Sequence, residues 1–262
     1  MDKTDVLKDI LKKKQERIIL AKQGLPEDDL KLKVKDLPPT RSFIQAINKP
    51  RNICLIAEIK KQSPSGLLPR RDFNHQEIAR IYEEAQVQAV SVLTEEDYFG
   101  GSLVYIDEVK SIVSGPVLRK DFIIEPYQVY ESRFYGADAI LLIADLLTKD
   151  KLIELMSIAS GLGLDCLVEV HNEKELKKAL NLKIPLIGIN NRDLHTLEID
   201  LKITERLFPL IPKDKVVVVE SGLKKRQDVL FLKILGVNAV LIGEAFMESC
   251  DIKQAVEEIM GW

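Results

Sequence analysis

The chain has 262 residues, 46% of them apolar, with 38 basic and 41 acidic side chains, a net charge of −3 and a pI near 5.8. That is enough chain to bury one large core or two modest ones. A near-neutral balance and an aromatic share of 6% argue against nucleic acid as a partner, because they supply neither a basic field nor stacking platforms. Apolar runs such as Ala139–Ala144 and Val216–Val219 are cut by charges far short of the ~18 residues of a membrane span. The N-terminus alternates charge with Leu and Ile where a signal peptide has an apolar block, so neither membrane insertion nor secretion is expected.

In chain order, Val6, Leu7, Ile10, Leu11 and Ile18 predict a charged amphipathic helix. Leu37-Pro38-Pro39 predicts a break before a second, short helix near Phe43. Residues 1–45 therefore read as a helical extension, expected to cover one end of a single domain spanning 46–262. Eight short, β-branched apolar runs follow: Ile53–Ile59, Ala89–Leu93, Val117–Leu118, Ala139–Ile143, Cys166–Val170, Leu186–Ile189, Val216–Val219 and Ala239–Ile242. They lack strict alternation, as strands buried on both faces of a parallel sheet do.

Helical patterns separate these runs. Asn74 with Glu77, and Asn172 with Glu175, have capping-box spacing, and Pro126 suits a first helical position. Gly115, Gly136, Gly161 and Gly236 fall where left-handed C-caps are wanted. Leu152, Leu155, Met156 and Ala159, and again Val229, Leu232 and Leu235, each mark one buried helix face. Repeated β-then-α units over about 200 residues, with no G-x-G-x-x-G after the first run, predict a (β/α)8 TIM barrel of the α/β class over a doubly wound sheet.

Three cysteines, Cys54, Cys166 and Cys250, are unevenly spaced, and two lie inside apolar runs, which fits a reducing cytoplasm. His75, His171 and His195 lack metal-ligand spacing, so no metal site and no Cys/His nucleophile is predicted. Chemistry is left to lysine, carboxylates and hydroxyls. In a barrel the active site is built at the C-terminal strand ends, and here those ends are polar: Glu58-Ile59-Lys60, Arg119-Lys120-Asp121, Glu169, Asn190-Asn191-Arg192, Glu220-Ser221-Gly222 and Gly243-Glu244. Glu58 and Lys60, two apart, face the same side. Gathering Glu58, Lys60, Lys120, Glu169 and Glu220 at one barrel mouth costs several kcal/mol per unpaired charge, tolerated mainly where the ions pair or function requires them. Glycine turns after the seventh and eighth runs point to a phosphate group, although either glycine alone could serve only a tight bend.

At these residues the sequence resembles the indole-3-glycerol phosphate synthase family. The resemblance runs through Ile56-Ala57-Glu58-Ile59-Lys60-Lys61-Gln62-Ser63-Pro64-Ser65-Gly66 and Ser91-Val92-Leu93-Thr94-Glu95-Glu96-Asp97-Tyr98-Phe99-Gly100-Gly101. It continues through Leu118-Arg119-Lys120-Asp121-Phe122, Leu167-Val168-Glu169-Val170-His171, Gly188-Ile189-Asn190-Asn191-Arg192-Asp193-Leu194 and Glu220-Ser221-Gly222. It implies ring closure of 1-(2-carboxyphenylamino)-1-deoxyribulose 5-phosphate to indole-3-glycerol phosphate, with loss of carbon dioxide and water, in tryptophan biosynthesis.

No cofactor is implied, because the arylamine nitrogen pushes electrons into its own ring. The resemblance further implies Lys120 as general acid at the ketone oxygen. Lys60 and Glu169 serve binding and the later loss of hydroxyl, Glu58 is a base, Asn190 and Ser221 orient, and Glu220 tunes the lysines. Lys60, Arg192, Gly222 and Gly243 are expected to take up the substrate's phosphate and benzoate, with Ser63 as a further contact and Phe122 as an apolar wall for the ring. Glu244 stands where relatives often carry a small hydroxyl residue, and an inward carboxylate there repels phosphate, so only its backbone N–H is expected to contribute. The loop after the first run contains Gly66 and is expected to be mobile. The remaining readings are a Schiff-base phosphosugar aldolase using Lys120 or Lys60, and a non-catalytic barrel that binds a phosphoribosyl ligand. A small anionic substrate is the expected partner, in a monomer or homodimer.

Overall fold

The computed structural model describes residues 6–64 and 73–262, so Gly66 lies outside the described residues. Among the described residues, eight parallel strands close into one barrel in sequence order, β8 pairing back onto β1. Three helices come first: α1 (Val6–Gly24), α2 (Glu27–Val34) and α3 (Phe43–Ile47). The alternation then begins with β1 (Cys54–Ile59), α4 (His75–Glu84), β2 (Ala89–Leu93), α5 (Val104–Lys110), β3 (Val117–Lys120) and α6 (Pro126–Phe134). It continues with β4 (Ala139–Ile143), α7 (Lys149–Gly161), β5 (Asp165–Val170), α8 (Glu173–Asn181), β6 (Leu186–Asn190) and α9 (Lys202–Leu207). It ends with β7 (Val216–Glu220), α10 (Arg226–Leu235), β8 (Ala239–Ile242), α11 (Glu244–Glu248) and α12 (Ile252–Met260). All eight predicted runs are strands, and the fold is the predicted (β/α)8 TIM barrel.

The strands are apolar on both faces because each face has its own core. Leu55, Ala57, Val90, Val92, Val168, Val170, Val217 and Val219 point outward against the helices. Cys54, Ile56, Ala89, Leu118, Leu141, Leu167, Val218 and Leu241 fill the barrel interior. This period of two then brings Glu58, Lys120, Glu169, Asn190 and Glu220 to the inner face at the C-terminal ends, with Asn190 beside Glu220 in register.

Helix starts follow the local chemistry. Asn74 accepts from the N–H groups of Gln76 and Glu77, Asn172 accepts from that of Glu175, and Pro126 opens α6. The stops differ in part from expectation. Gly136 and Gly236 are left-handed, but Gly161 is the last residue of α7, and the left-handed turn is made by Gly163. Gly115 is not left-handed; an added Cβ there lies 3.0 Å from the Gln88 carbonyl oxygen, so close backbone approach explains that glycine.

The N-terminal helices depart most from the sequence reading. A third helix, α2, lies between the two predicted ones, and its Leu30 and Val34 pack with Ile18 and Tyr127 in a cluster of their own. The extension also reaches both barrel ends. Asp165, at the start of β5, accepts from the N–H groups of Phe43 and Ile44, which seats α3 under the N-terminal end. Lys14 of α1 meets Asp121, just past β3, at 2.7 Å, and Arg17 meets Glu96 and Asp97, past β2, at 2.8 and 3.0 Å, so α1 lies along the C-terminal end.

Candidate active site

The C-terminal end of the barrel opens into a cavity. Its charged floor is supplied by β1, β3, β5 and β7. Lys120 Nζ lies 3.3 Å from Glu169 Oε2 and 3.2 Å from Glu220 Oε2, so one ammonium is gripped by two buried carboxylates. Beside it, Lys60 Nζ meets Glu58 Oε1 at 3.1 Å, and Ile59 faces the helices, as spacing predicts. Asn190 Nδ2 donates to Glu169 Oε1 at 3.1 Å, while Asn190 Oδ1 accepts from the Arg192 N–H at 2.9 Å. Gly188 makes the room for Glu220: a Cβ there meets Glu220 Oε1 at 2.7 Å.

Lys120 is aimed inward by its two neighbours. Arg119 and Asp121 point to the outside of β3 and pair with each other at 2.9 Å. Glu131 holds Arg119, and Lys14 and Thr94 hold Asp121. With both flanking side chains locked in one buried network, the strand's alternation leaves Lys120 only the barrel interior.

Burial alone favours a neutral Lys120, but Glu220, Glu169 and Glu58 outweigh it and hold the ammonium above the ordinary lysine range. Burial likewise opposes the Glu169 carboxylate, and Lys120, His171 and Asn190 overcome it, keeping Glu169 well below the usual range. Glu220 goes the other way. Burial, opposed by Lys120 at 3.2 Å and reinforced by Glu169 and Glu58, pushes it up to about 7.

An acid whose pKa is raised on folding contributes stability below its ordinary value of 4.5 that is lost as pH rises through about 7. Glu220→Gln should therefore flatten the fall in unfolding free energy between pH 5 and pH 8. Urea melts at the two pH values measure this, and an identical pH dependence in parent and variant would contradict the buried, proton-binding state of Glu220.

At the rim, Ser221 and Gly222 both have positive φ, 69° and 80°, and Gly243 sits against β1, where an added Cβ meets Glu58 Oε1 at 2.6 Å. Glycine at 243 is thus required by the approach of Glu58. Arg192 Nη2 donates to Glu244 Oε2 at 2.9 Å, and Lys224 Nζ lies 2.9 Å from Glu244 Oε1. The Glu244 carboxylate therefore lines the cavity with its charge taken up by two cations. Although partial burial opposes it, Lys224, Arg192 and Lys60 hold Glu244 below the ordinary range.

The apolar wall contains Phe122, whose ring lies 6.3 Å from that of Phe99. Glu95 shapes the loop carrying Phe99 by accepting from the N–H groups of Asp97, Tyr98 and Phe99. The residues expected at the site, Glu58, Lys60, Ser63, Lys120, Phe122, Glu169, Asn190, Arg192, Glu220, Ser221, Gly222, Gly243 and Glu244, all line this one cavity. Sequence reasoning missed Leu7 and Ile10 of α1, and Phe99, Leu194 and Leu197, which complete the apolar wall. It also missed His171 behind Glu169, whose spacing of two from that residue was the available signal.

The family model for indole-3-glycerol phosphate synthase matches residues 7–259. The chain belongs to the indole-3-glycerol phosphate synthase family. It is 48% identical over 258 residues to the indole-3-glycerol phosphate synthase of Caldanaerobacter subterraneus subsp. tengcongensis, covering 98% of this chain and 99% of the relative. It is 46% identical over 256 residues to that of Clostridium acetobutylicum, covering 97% of each.

Among solved structures, 3-hexulose-6-phosphate synthase superposes with a TM-score of 0.63 at 15% identity, over 80% of this chain and 99% of that one. A chain from the tryptophan synthase α2β2 complex of Pyrococcus furiosus gives 0.60 at 17% identity, over 80% of this chain and 98% of that one. At such identities the structures speak for the barrel fold alone. The charged centre of this site is the Glu169–Lys120–Glu220 triad beneath an apolar wall. Among the described residues no helix is long and apolar enough to cross a membrane.

Proposed function

We propose that the chain catalyses the decarboxylating, dehydrating ring closure of 1-(2-carboxyphenylamino)-1-deoxyribulose 5-phosphate to indole-3-glycerol phosphate. The observation that carries this reading is the Lys120 ammonium held between Glu169 and Glu220 at the floor of the cavity, beside the Lys60–Glu58 pair. In the first step the ring carbon bearing the carboxylate attacks the ketone carbon, and Lys120 delivers a proton to the ketone oxygen as charge develops there. The carboxylate then leaves as carbon dioxide, its bonding pair restoring the aromatic ring.

The new hydroxyl next departs as water together with a proton from the methylene beside the nitrogen. Lys60 donates the proton with which the hydroxyl leaves, the Glu169 carboxylate assists as an anion beside Lys120, and Glu58 is the base for the proton. Asn190 and Ser221 orient, and Glu220 sets the electrostatics of Lys120. Phe122 and Phe99 form the wall against which an aryl ring packs. Arg192, Lys60 and the backbone at Gly222 and Gly243, with Ser63, meet the two anionic groups. We further infer a cytoplasmic enzyme acting as a monomer or homodimer on this phosphorylated small molecule; its three cysteines are free thiols.

The direct test is fluorescence of the indole product formed from the carboxyphenylamino substrate, in chelator and without added cofactor. Absence of turnover in folded protein overturns the proposal. Borohydride trapping of a covalent adduct favours a Schiff-base aldolase instead.

Glu244 supplies a prediction about binding. Its carboxylate occupies Arg192 and Lys224 at the cavity rim, where an incoming anion competes with it. Glu244→Gln should strengthen inhibition by inorganic phosphate roughly 3- to 10-fold, the range expected for one partly screened charge. Weaker inhibition would mean that Glu244 organises the anion site and does not compete for it.

A further inference from the structure

Glu169 receives a contact from a residue that does not line the cavity. His171 follows it by two along the chain and shares its face, and the ring is buried, with 8% of the side chain exposed. His171 Nε2 faces Glu169 Oε1 at 3.2 Å, and His171 Nδ1 lies 3.0 Å from Glu175 Oε2. Glu175 is in the first turn of α8, and it also accepts from the backbone N–H of His171 and the side-chain amide of Asn172. The ring is therefore wedged between two buried carboxylates, one in the site and one behind it. Nδ1 hydrogen-bonds Glu175, whereas Nε2 faces Glu169 at ion-pair distance without hydrogen-bond geometry, so the second contact is one that an imidazolium stabilises and a neutral ring does not. Burial opposes that charge, but Glu169 and Glu175 outweigh it and raise His171 to about 10.

We propose that His171 is a positioning residue for the ring-closing reaction: anchored from behind by Glu175, its imidazolium fixes the Glu169 side chain and keeps it an anion turned toward Lys120. The proposal rests on the role given to Glu169 above. The other groups facing Glu169 are Lys120 from β3 and Asn190 from β6, with Glu220 of β7 and Glu58 of β1 acting on Lys120. Without His171, Asn190 is the remaining partner of Oε1. The carboxylate can then turn and bind a proton more readily. Because His171 does not line the cavity, substrate affinity is affected little.

The test combines kinetics and NMR on the full chain. His171→Ala should lower kcat roughly 10-fold or more, with KM within about threefold. In the parent, the ¹³C-labelled imidazole of His171 should titrate far above the ordinary 6.5, and kcat should fall along an alkaline limb with the same midpoint. Glu175→Gln, which leaves both site carboxylates in place, should move the imidazole midpoint and the alkaline limb down together, by at least about one pH unit. It also serves if His171→Ala fails to fold.

An imidazole midpoint near 6.5 in the parent overturns the proposal. So does a Glu175→Gln imidazole shift that the kinetic limb does not follow, or a rise in KM with kcat unchanged. If the parent forms no indole product, the functional reading fails, and the imidazole titration decides the pairing alone: its midpoint should drop in Glu169→Gln, and an unchanged midpoint overturns the clamp.

Discussion

Lys120→Met should reduce turnover at least ~100-fold while the barrel stays folded, because methionine keeps length and packing but removes both the proton donor and its fixed charge. The cavity geometry sharpens this expectation. An ammonium held above the ordinary lysine range by Glu220, Glu169 and Glu58 parts with its proton only to a strong base, and the oxyanion developing at the ketone is such a base. Removing Lys120 also leaves Glu169 and Glu220 without the cation between them. Glu220, already pushed up to about 7, then binds its proton more tightly still, so the variant should also take up protons near neutral pH.

Lys120→Arg separates the two contributions. It retains the charge but does not release a proton at any working pH. If proton donation matters, the arginine variant should remain at least ~10-fold impaired. Steady-state kinetics with circular dichroism as the folding control read both variants, and near-normal turnover in folded Lys120→Met would remove Lys120 as the general acid.

The second large effect is expected at Glu169, where glutamine preserves shape and the acceptor for Asn190 but cannot ionise. Glu169→Gln should slow product formation by ~10- to 1000-fold and leave substrate affinity within about tenfold. The order of events carries the mechanistic content. Ring closure needs one acid at the ketone oxygen, whereas dehydration needs a donor at the hydroxyl and a base for the departing carbon-bound proton. With carboxyl-labelled substrate, rapid quenching of this variant should show labelled carbon dioxide appearing ahead of the indole. Strictly simultaneous release at an unchanged rate would sink the assignment of Glu169 to the later step.

The strands and their order were legible from the sequence because a barrel strand buried on both faces must be apolar throughout, and every such run from Ile53 to Ile242 is one. The residues lining the cavity floor were legible for the complementary reason. Glu58, Lys120, Glu169 and Glu220 close those apolar runs, and a charge at that place in a barrel faces its mouth. The helix starts at Asn74, Pro126 and Asn172 follow from local chemistry that needs no distant partner.

Other features depended on contacts between segments far apart in the chain. Helix α2 is short and rich in charge, and its Leu30 and Val34 gain a core only by meeting Ile18 and Tyr127. The apolar wall borrows Leu7 and Ile10 from α1, which Lys14 pins to Asp121 just past the end of β3. Which cation pairs with which carboxylate was likewise undetermined by spacing. Lys120 with Glu220, and Arg192 with Glu244, are joined only because closure brings different strand ends within a few ångströms. The sequence by itself therefore determined which residues occupy the barrel mouth, through periodicity. Tertiary structure decided how their charges pair, because ion pairing depends on distances set by the assembled barrel.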